Sequence, residues 1–160
     1  MSPLYHGLRK WLVPPVLLLL FLLFDILVCW PVDTRLQEMI SPTLTFCLSI
    51  LLGVTSVSVI ISSLLQLVRN KTTINALHAN KVHVLITTGC YHFSRNPVYL
   101  GFIGIQLSCA LLLHCIAGFL MTPLLIFLLT RLHIECEEAS MQRIFGPAWS
   151  AYQKKTRRWV

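Results

Sequence analysis

Charge is what this chain of 160 residues has least of. Only 12% of its residues are Asp, Glu, Lys or Arg, whereas hydrophobic types make up 56%. A soluble domain carries roughly 25% charge, so the shortage excludes an ordinary water-soluble fold. Acid is scarcer still, with six Asp and Glu against thirteen Lys and Arg and a formal net charge of +7. That surplus of base does not point to nucleic acid. The cations sit in short groups beside apolar runs, which suits anionic lipid headgroups and a fixed topology. No Cys-x-x-Cys pair occurs among six cysteines and six histidines. Most of the thiols lie in apolar runs, where they pack as small hydrophobes, so neither a metal site nor a disulfide is expected.

What the chain has is apolar length. Runs over 11–30, 40–68, 97–114 and 119–132 predict one all-α integral membrane domain over 1–160, with about four transmembrane helices. A span needs ~20 residues, so the second run is long and the fourth short. A break near Gly118 makes the third and fourth runs a hairpin. Arg9 and Lys10 precede the first run, but no small-residue cleavage site follows, which reads as a retained helix rather than a signal peptide. Trp11 and Trp30 suit the two interfaces. Asp25 is the one acid inside that run; it is either a functional group or one that reaches the interface or bonds a neighbouring helix. In the second run Ser49, Gly53, Ser56 and Ser63 share one helical face, a stripe that suits close helix packing if it is not chance.

The stretch 69–96 is polar and free of acid, with Arg69, Lys71, Lys81 and Arg95. Val82 to Ile86 is β-branched enough to be extended, and Thr88-Gly89 reads as a turn. Four spans put this loop and both termini on one side, which gathers every Lys and Arg except Arg35 of the 31–38 connection. The positive-inside rule makes that side cytoplasmic, in what reads as a bacterial inner membrane. After Gly146-Pro147, residues 147–160 intersperse Trp149, Tyr152 and Trp159 with Lys154, Lys155, Arg157 and Arg158, the pattern of an amphipathic helix on the inner leaflet.

The chemistry concentrates at the ends of the hairpin. Pro97 suits a first helical turn, which leaves Arg95 at the helix mouth. Arg131, His133, Glu135, Glu137 and Glu138 close the next run, so the hairpin brings both clusters to one end. On a continuous helix Arg131, Glu135 and Glu138 share one face and His133 and Glu137 another. One face can hold ion pairs while the other meets a ligand; a solvated helix end with i,i+4 pairs is the alternative.

Those residues carry a resemblance. Gly89-Cys90-Tyr91, Arg95-Asn96-Pro97, Tyr99, Gly101, Glu137-Glu138, Phe145-Gly146 and Tyr152 follow in order the pattern of the isoprenylcysteine carboxyl methyltransferase and phospholipid methyltransferase group. The chain is similar to its small prokaryotic members. The resemblance implies S-adenosyl-L-methionine as methyl donor and a membrane lipid, a hydrophobic small molecule or a lipidated carboxylate, thiol or amine as acceptor. It places Tyr91, Arg95, Asn96, Pro97, Tyr99, Glu137 and Glu138 around the cofactor, with Arg95 and Glu138 as catalytic candidates. Tyr faces attract a sulfonium, Arg clamps a carboxylate, and Glu137 or Glu138 would serve as base for an amine acceptor. Cys90 stands for the usual Pro, His133 for a frequent Arg, Trp149 for a Tyr, and Asn96 cannot titrate. The N-terminal half carries no motif, and acceptor choice is expected to reside there. A non-catalytic membrane scaffold and a relative of the membrane sterol reductases are the competing readings.

Overall fold

The structure, a computed structural model, describes residues 12–29, 41–71 and 84–160. Arg9, Lys10, Trp11, Trp30, the 31–38 connection, Lys81 and Val82 lie outside the described residues. Among those described there is no strand. The elements are α1 (Pro14–Cys29), α2 (Pro42–Arg69), the single turn α3 (Cys90–Phe93), α4 (Pro97–Leu112), α5 (Ile116–Leu129), a π turn (Thr130–Ile134), α6 (Glu135–Phe145) and α7 (Pro147–Lys155). Pro42, Pro97 and Pro147 open their helices, where the missing N–H has no intrahelical partner to lose.

Two helices are long and apolar enough to cross a membrane: α2, and the continuous Ile116–Phe145 helix that joins α5, the π turn and α6. Two shorter apolar helices, α1 and α4, have 16 residues each. Leu51, Val54, Leu65 and Val68 on α2 are well exposed, as lipid-facing residues of an apolar helix should be.

The fourth run, expected to end at 132, continues as helix to Phe145. The Glu135 N–H bonds the Thr130 carbonyl, and this wide turn carries the backbone across the change from apolar to polar sequence. The unbroken apolar sequence ends at Leu129 and the π turn already carries Arg131 and His133, so α6, with its carboxylates, is a polar extension beyond the hydrocarbon-compatible segment. The break between the third and fourth runs falls at Leu113–Cys115 rather than near Gly118. His114 takes a positive φ of 52°, and Cys115 Sγ caps α5 by accepting the Gly118 N–H at 3.2 Å. Gly118 serves close packing inside α5, not a turn: a Cβ there would stand 2.8 Å from Asp25 Oδ1.

The small-residue stripe of α2 meets α4. A Cβ at Gly104 would lie 2.0 Å from Ser56 Oγ, and one at Gly101 would lie 2.9 Å from the Ser56 carbonyl. Glycine therefore sets how closely these backbones approach. The Ser108 hydroxyl donates to the Ser49 carbonyl across the same contact at 2.8 Å. The apolar core, built from Leu17, Leu18, Tyr99, Leu125, Leu129, Leu132 and Ile134, lies where α1, α4, α5 and the π turn converge.

Contrary to the sequence reading, Cys29 and Cys115 form a disulfide, with Cα atoms 5.4 Å apart. Cys29 ends α1 and Cys115 starts α5, so the fold brings together two thiols 86 residues apart.

Candidate functional site

At the opposite end of the bundle from the disulfide, Glu138 is the centre of a buried ion cluster. The Arg95 guanidinium donates from Nε and Nη2 to its Oε1 at 3.2 and 2.8 Å. Arg158 donates from Nη2 to Oε2 at 2.6 Å and from Nε to Oε1 at 3.3 Å. Burial alone raises the Glu138 pKa, but hydrogen bonds from Arg158 and Arg95 outweigh it and hold the carboxyl below its usual range. Hydrogen bonding to Glu138 correspondingly raises the Arg158 pKa.

Arg95 reaches further than this pair. Its Nη1 donates to the Gln153 and Thr156 carbonyls at 3.3 and 2.8 Å, its backbone N–H to the Arg157 carbonyl at 3.0 Å, and its guanidinium lies 5.9 Å from the Trp149 ring centroid. Asn96 Nδ2 and the Ser94 hydroxyl both donate to the Arg158 carbonyl, at 3.1 and 3.2 Å. The mouth of α4 is thus laced to residues 156–160, which follow α7 as a non-helical strap. Pro97, fully buried, starts α4 immediately after these contacts.

This changes the reading of the tail. The helix expected over 147–160 ends at Lys155, and its Trp149 and Tyr152 are 4% and 5% exposed. They face the protein rather than a leaflet because Tyr152 Oη donates to the Tyr91 carbonyl and its ring packs edge-on against Trp149. Burial pushes the Tyr152 phenol up to about 12. Arg158, read from the sequence as one of four surface cations, is the second partner of Glu138 and a residue that sequence reasoning missed. Its one signal was its place among the aromatic and basic residues after Phe145-Gly146.

Glu137 points elsewhere. Tyr99 Oη donates to its Oε1 at 2.7 Å. Tyr91 stands close enough to feel the same carboxylate; burial first, then Tyr152, Cys90 and Glu137, raise its phenol pKa and keep it protonated. Tyr91 is carried on α3, entered through Gly89 at φ 60°. A Cβ at Gly89 would run into the Gln66 side-chain amide, and the positive φ is a conformation that glycine adopts without strain, so glycine suits this turn against the end of α2.

The structure therefore gathers Tyr91, Arg95, Asn96, Pro97, Tyr99, Glu137 and Glu138 at one end of the bundle. It leaves Arg131 and His133 outside. Arg131 pairs with Glu135 at 3.1 Å on the surface, the side chains 60% and 39% exposed. His133 Nε2 lies 2.8 Å from the Leu12 carbonyl, so it faces α1 instead of sharing a ligand-facing side with Glu137. The face expected for Arg131, Glu135 and Glu138 is divided: Arg131 and Glu135 stay paired at the surface across the π turn, while Glu138, three residues on in α6, is turned inward to Arg95 and Arg158.

Among the described residues two buried polar atoms at this end have no hydrogen-bond partner: Trp149 Nε1, a donor on the ring beside Arg95, and Gln66 Oε1, an acceptor on the side chain that lies against Gly89. With the tyrosine rings and the Glu137 carboxylate, this end of the bundle offers donor, acceptor, aromatic and anionic groups. Such a set fits a ligand that carries an amine, a carboxylate, hydroxyls and a soft cation.

The family described as phospholipid methyltransferase matches residues 44–148. Over 94 residues the chain is 32% identical to the protein-S-isoprenylcysteine O-methyltransferase of Schizosaccharomyces pombe. That alignment covers 59% of this chain and 40% of the relative, so the chain aligns with less than half of that protein. No solved structure gives a significant match.

Proposed function

Because the chain belongs to the phospholipid methyltransferase family, we propose that it transfers a methyl group from S-adenosyl-L-methionine to a lipid-like acceptor at the cytoplasmic face of a membrane. The observation that carries this reading is the Tyr91, Tyr99 and Glu137 group beside a fully paired Arg95–Glu138–Arg158 cluster, at one end of an apolar bundle. The donor's sulfonium supplies an electrophilic methyl, so the protein's work is alignment and exclusion of water. Tyr91 and Tyr99 offer ring faces to that cation. Glu137 takes the donor's ammonium or ribose hydroxyls, and Gln66 Oε1 and Trp149 Nε1 complete its polar contacts. Arg95 and Glu138, the catalytic candidates of the sequence reading, act here as positioning residues that bind the strap to α4. If the acceptor is an amine, Glu137 is the better base, because protonating Glu138 breaks two ion pairs.

Four membrane-crossing helices, with both termini and the site in the cytoplasm, fit this reading. Disulfides persist in oxidising compartments, and the Cys29–Cys115 end lies away from the basic loop, the side the positive-inside rule calls external. In a bacterial inner membrane that places the disulfide in the periplasm. The acceptor then meets the site from the inner leaflet.

Calorimetric titration of S-adenosyl-L-methionine into the detergent-purified protein tests the proposal, with Glu137→Gln alongside. Saturable binding, weakened at least tenfold in the folded variant, is expected. No binding in detergent or in lipid nanodiscs overturns the donor assignment.

A further inference from the structure

The Asp25 carboxyl has no part in the chemistry above, yet it is 0% exposed and so is Gln106, its partner on α4. Gln106 Nε2 donates to Asp25 Oδ2 at 2.7 Å. Asp25 Oδ1 and Gln106 Oε1, both buried, have no hydrogen-bond partner among the described residues. When the carboxyl is ionised both atoms are acceptors, so the pair has two oxygens to satisfy and no donor for either.

Among the described residues no side chain or backbone N–H is hydrogen-bonded to either oxygen. From α5, Gly118 packs against Oδ1, but its N–H donates to Cys115 Sγ, and the Thr122 hydroxyl donates to the Gly118 carbonyl at 3.0 Å. From α4 the nearby titratable group is the Cys109 thiol; on α1 itself Cys29 is in the disulfide. His114 turns to Thr45 of α2, 3.5 Å away. Among the described residues Asp25 forms no ion pair. A hard cation asks for about six oxygens, far more than this apolar setting offers. A charge held here without a partner is disfavoured, and the group is driven to its neutral form.

We propose that Asp25 is a proton-binding site inside the bundle: its carboxyl is neutral when α1 is docked, and the hydroxyl on Oδ1 is the donor that the Asp25–Gln106 pair lacks. The proton makes the pair a neutral clamp between α1 and α4. α1 lies wholly outside the 44–148 family match. It is held to the matched part by this clamp, by Cys29–Cys115 and by the contact of the Leu12 carbonyl with His133. Its Leu17 and Leu18 pack in the same core cluster as Tyr99, so the proton governs a helix that borders the methyl-transfer site. The sign follows from which form is docked. Stability from the clamp is present while Asp25 holds its proton and is lost as the pH rises through the pKa of the docked group.

Infrared spectroscopy of the full chain in lipid nanodiscs, without reductant, tests this, comparing wild type with Asp25→Asn. The wild type at neutral pH is expected to show the carbonyl band of a protonated carboxyl that exchanges slowly in heavy water, and the variant to lack it. Because an amide both donates and accepts, the variant should melt at an unchanged temperature and stay insensitive as the pH is raised well above neutrality, where the wild type melts earlier. If Asp25→Asn does not fold, Asp25→Glu keeps the carboxyl and should shift the band. Absence of any protonated carboxyl band in the wild type at neutral pH overturns the proposal, whether water or a cation accompanies the ionised group.

Discussion

Glu138 and Asp25 are both buried carboxyls, 8% and 0% exposed, at opposite ends of one bundle. Glu138 accepts hydrogen bonds from two guanidinium groups, whereas Asp25 accepts one from a neutral amide. The same functional group is therefore held as an anion at the polar end and, by the inference above, as an acid at the apolar end. The difference follows from the chain each can reach. α6 stands beside the helix mouth at Arg95 and the strap with Arg158, while on α1 Asp25 forms no ion pair among the described residues. A bilayer protein can hold a charge where several polar elements end together at the interface, not inside an apolar helix contact.

Removing the Glu138 carboxylate breaks the comparison most severely. Glu138→Ala leaves two guanidinium groups facing each other, one of them with a side chain only 10% exposed. Deleting one partner of a buried pair costs about 3–5 kcal/mol; the 36% exposure of the Arg158 side chain puts this case at the low end. The measurement is a denaturant or thermal melt in detergent, with donor binding lost alongside. Arg158→Gln should cost less, about 1–2 kcal/mol, because Arg95 still pairs with Glu138. Asp25→Asn should cost almost nothing in the same melt. Equal losses at both ends would erase the distinction.

The pH response sharpens it without any substitution. The Glu138 pKa is lowered in the fold, so its stabilisation is complete above the ordinary carboxylate pKa and is lost as the pH falls through the lowered value. Acid should therefore loosen the strap end while alkali loosens α1. Trp149, beside Arg95, reports the first event by its fluorescence; the accessibility of cysteines placed on α1 reports the second. A single transition in which both ends respond together to the same pH change would contradict two separately charged ends.

The sequence made the polar end readable because its parts are local. Gly89 to Gly101 and Glu137-Glu138 are short blocks whose order alone pairs them once a hairpin joins the two runs. The stripe of Ser49, Gly53, Ser56 and Ser63 was readable for the same reason, since a 3.6-residue period puts it on one face, and that face meets Gly101 and Gly104. The strap was not. Aromatic and basic residues alternate in a tail that lies on a membrane and in one that covers a site, and only the Arg95 and Asn96 contacts separate the two. Nor was the disulfide, because no local spacing joins Cys29 to Cys115. Asp25 could be flagged as an anomaly, but its partner lies 81 residues away on another helix.

The helix that carries the acids was only partly readable, and the smallest expected effect lies on its outer face. Periodicity arguments assume one pitch throughout, and Thr130–Ile134 departs from it just before the acids. Glu138 is turned to Arg95 and Arg158, while Arg131 is left to Glu135 outside. An exposed i,i+4 pair contributes about 0.3–0.5 kcal/mol. Arg131→Gln should therefore shift the melt by little and leave donor binding unchanged, although Arg131 lies only seven residues from Glu138 in the chain. A loss comparable to that of Arg158→Gln would mean that Arg131 reaches the cluster in the membrane, and that the two faces of the helix are not separate as described.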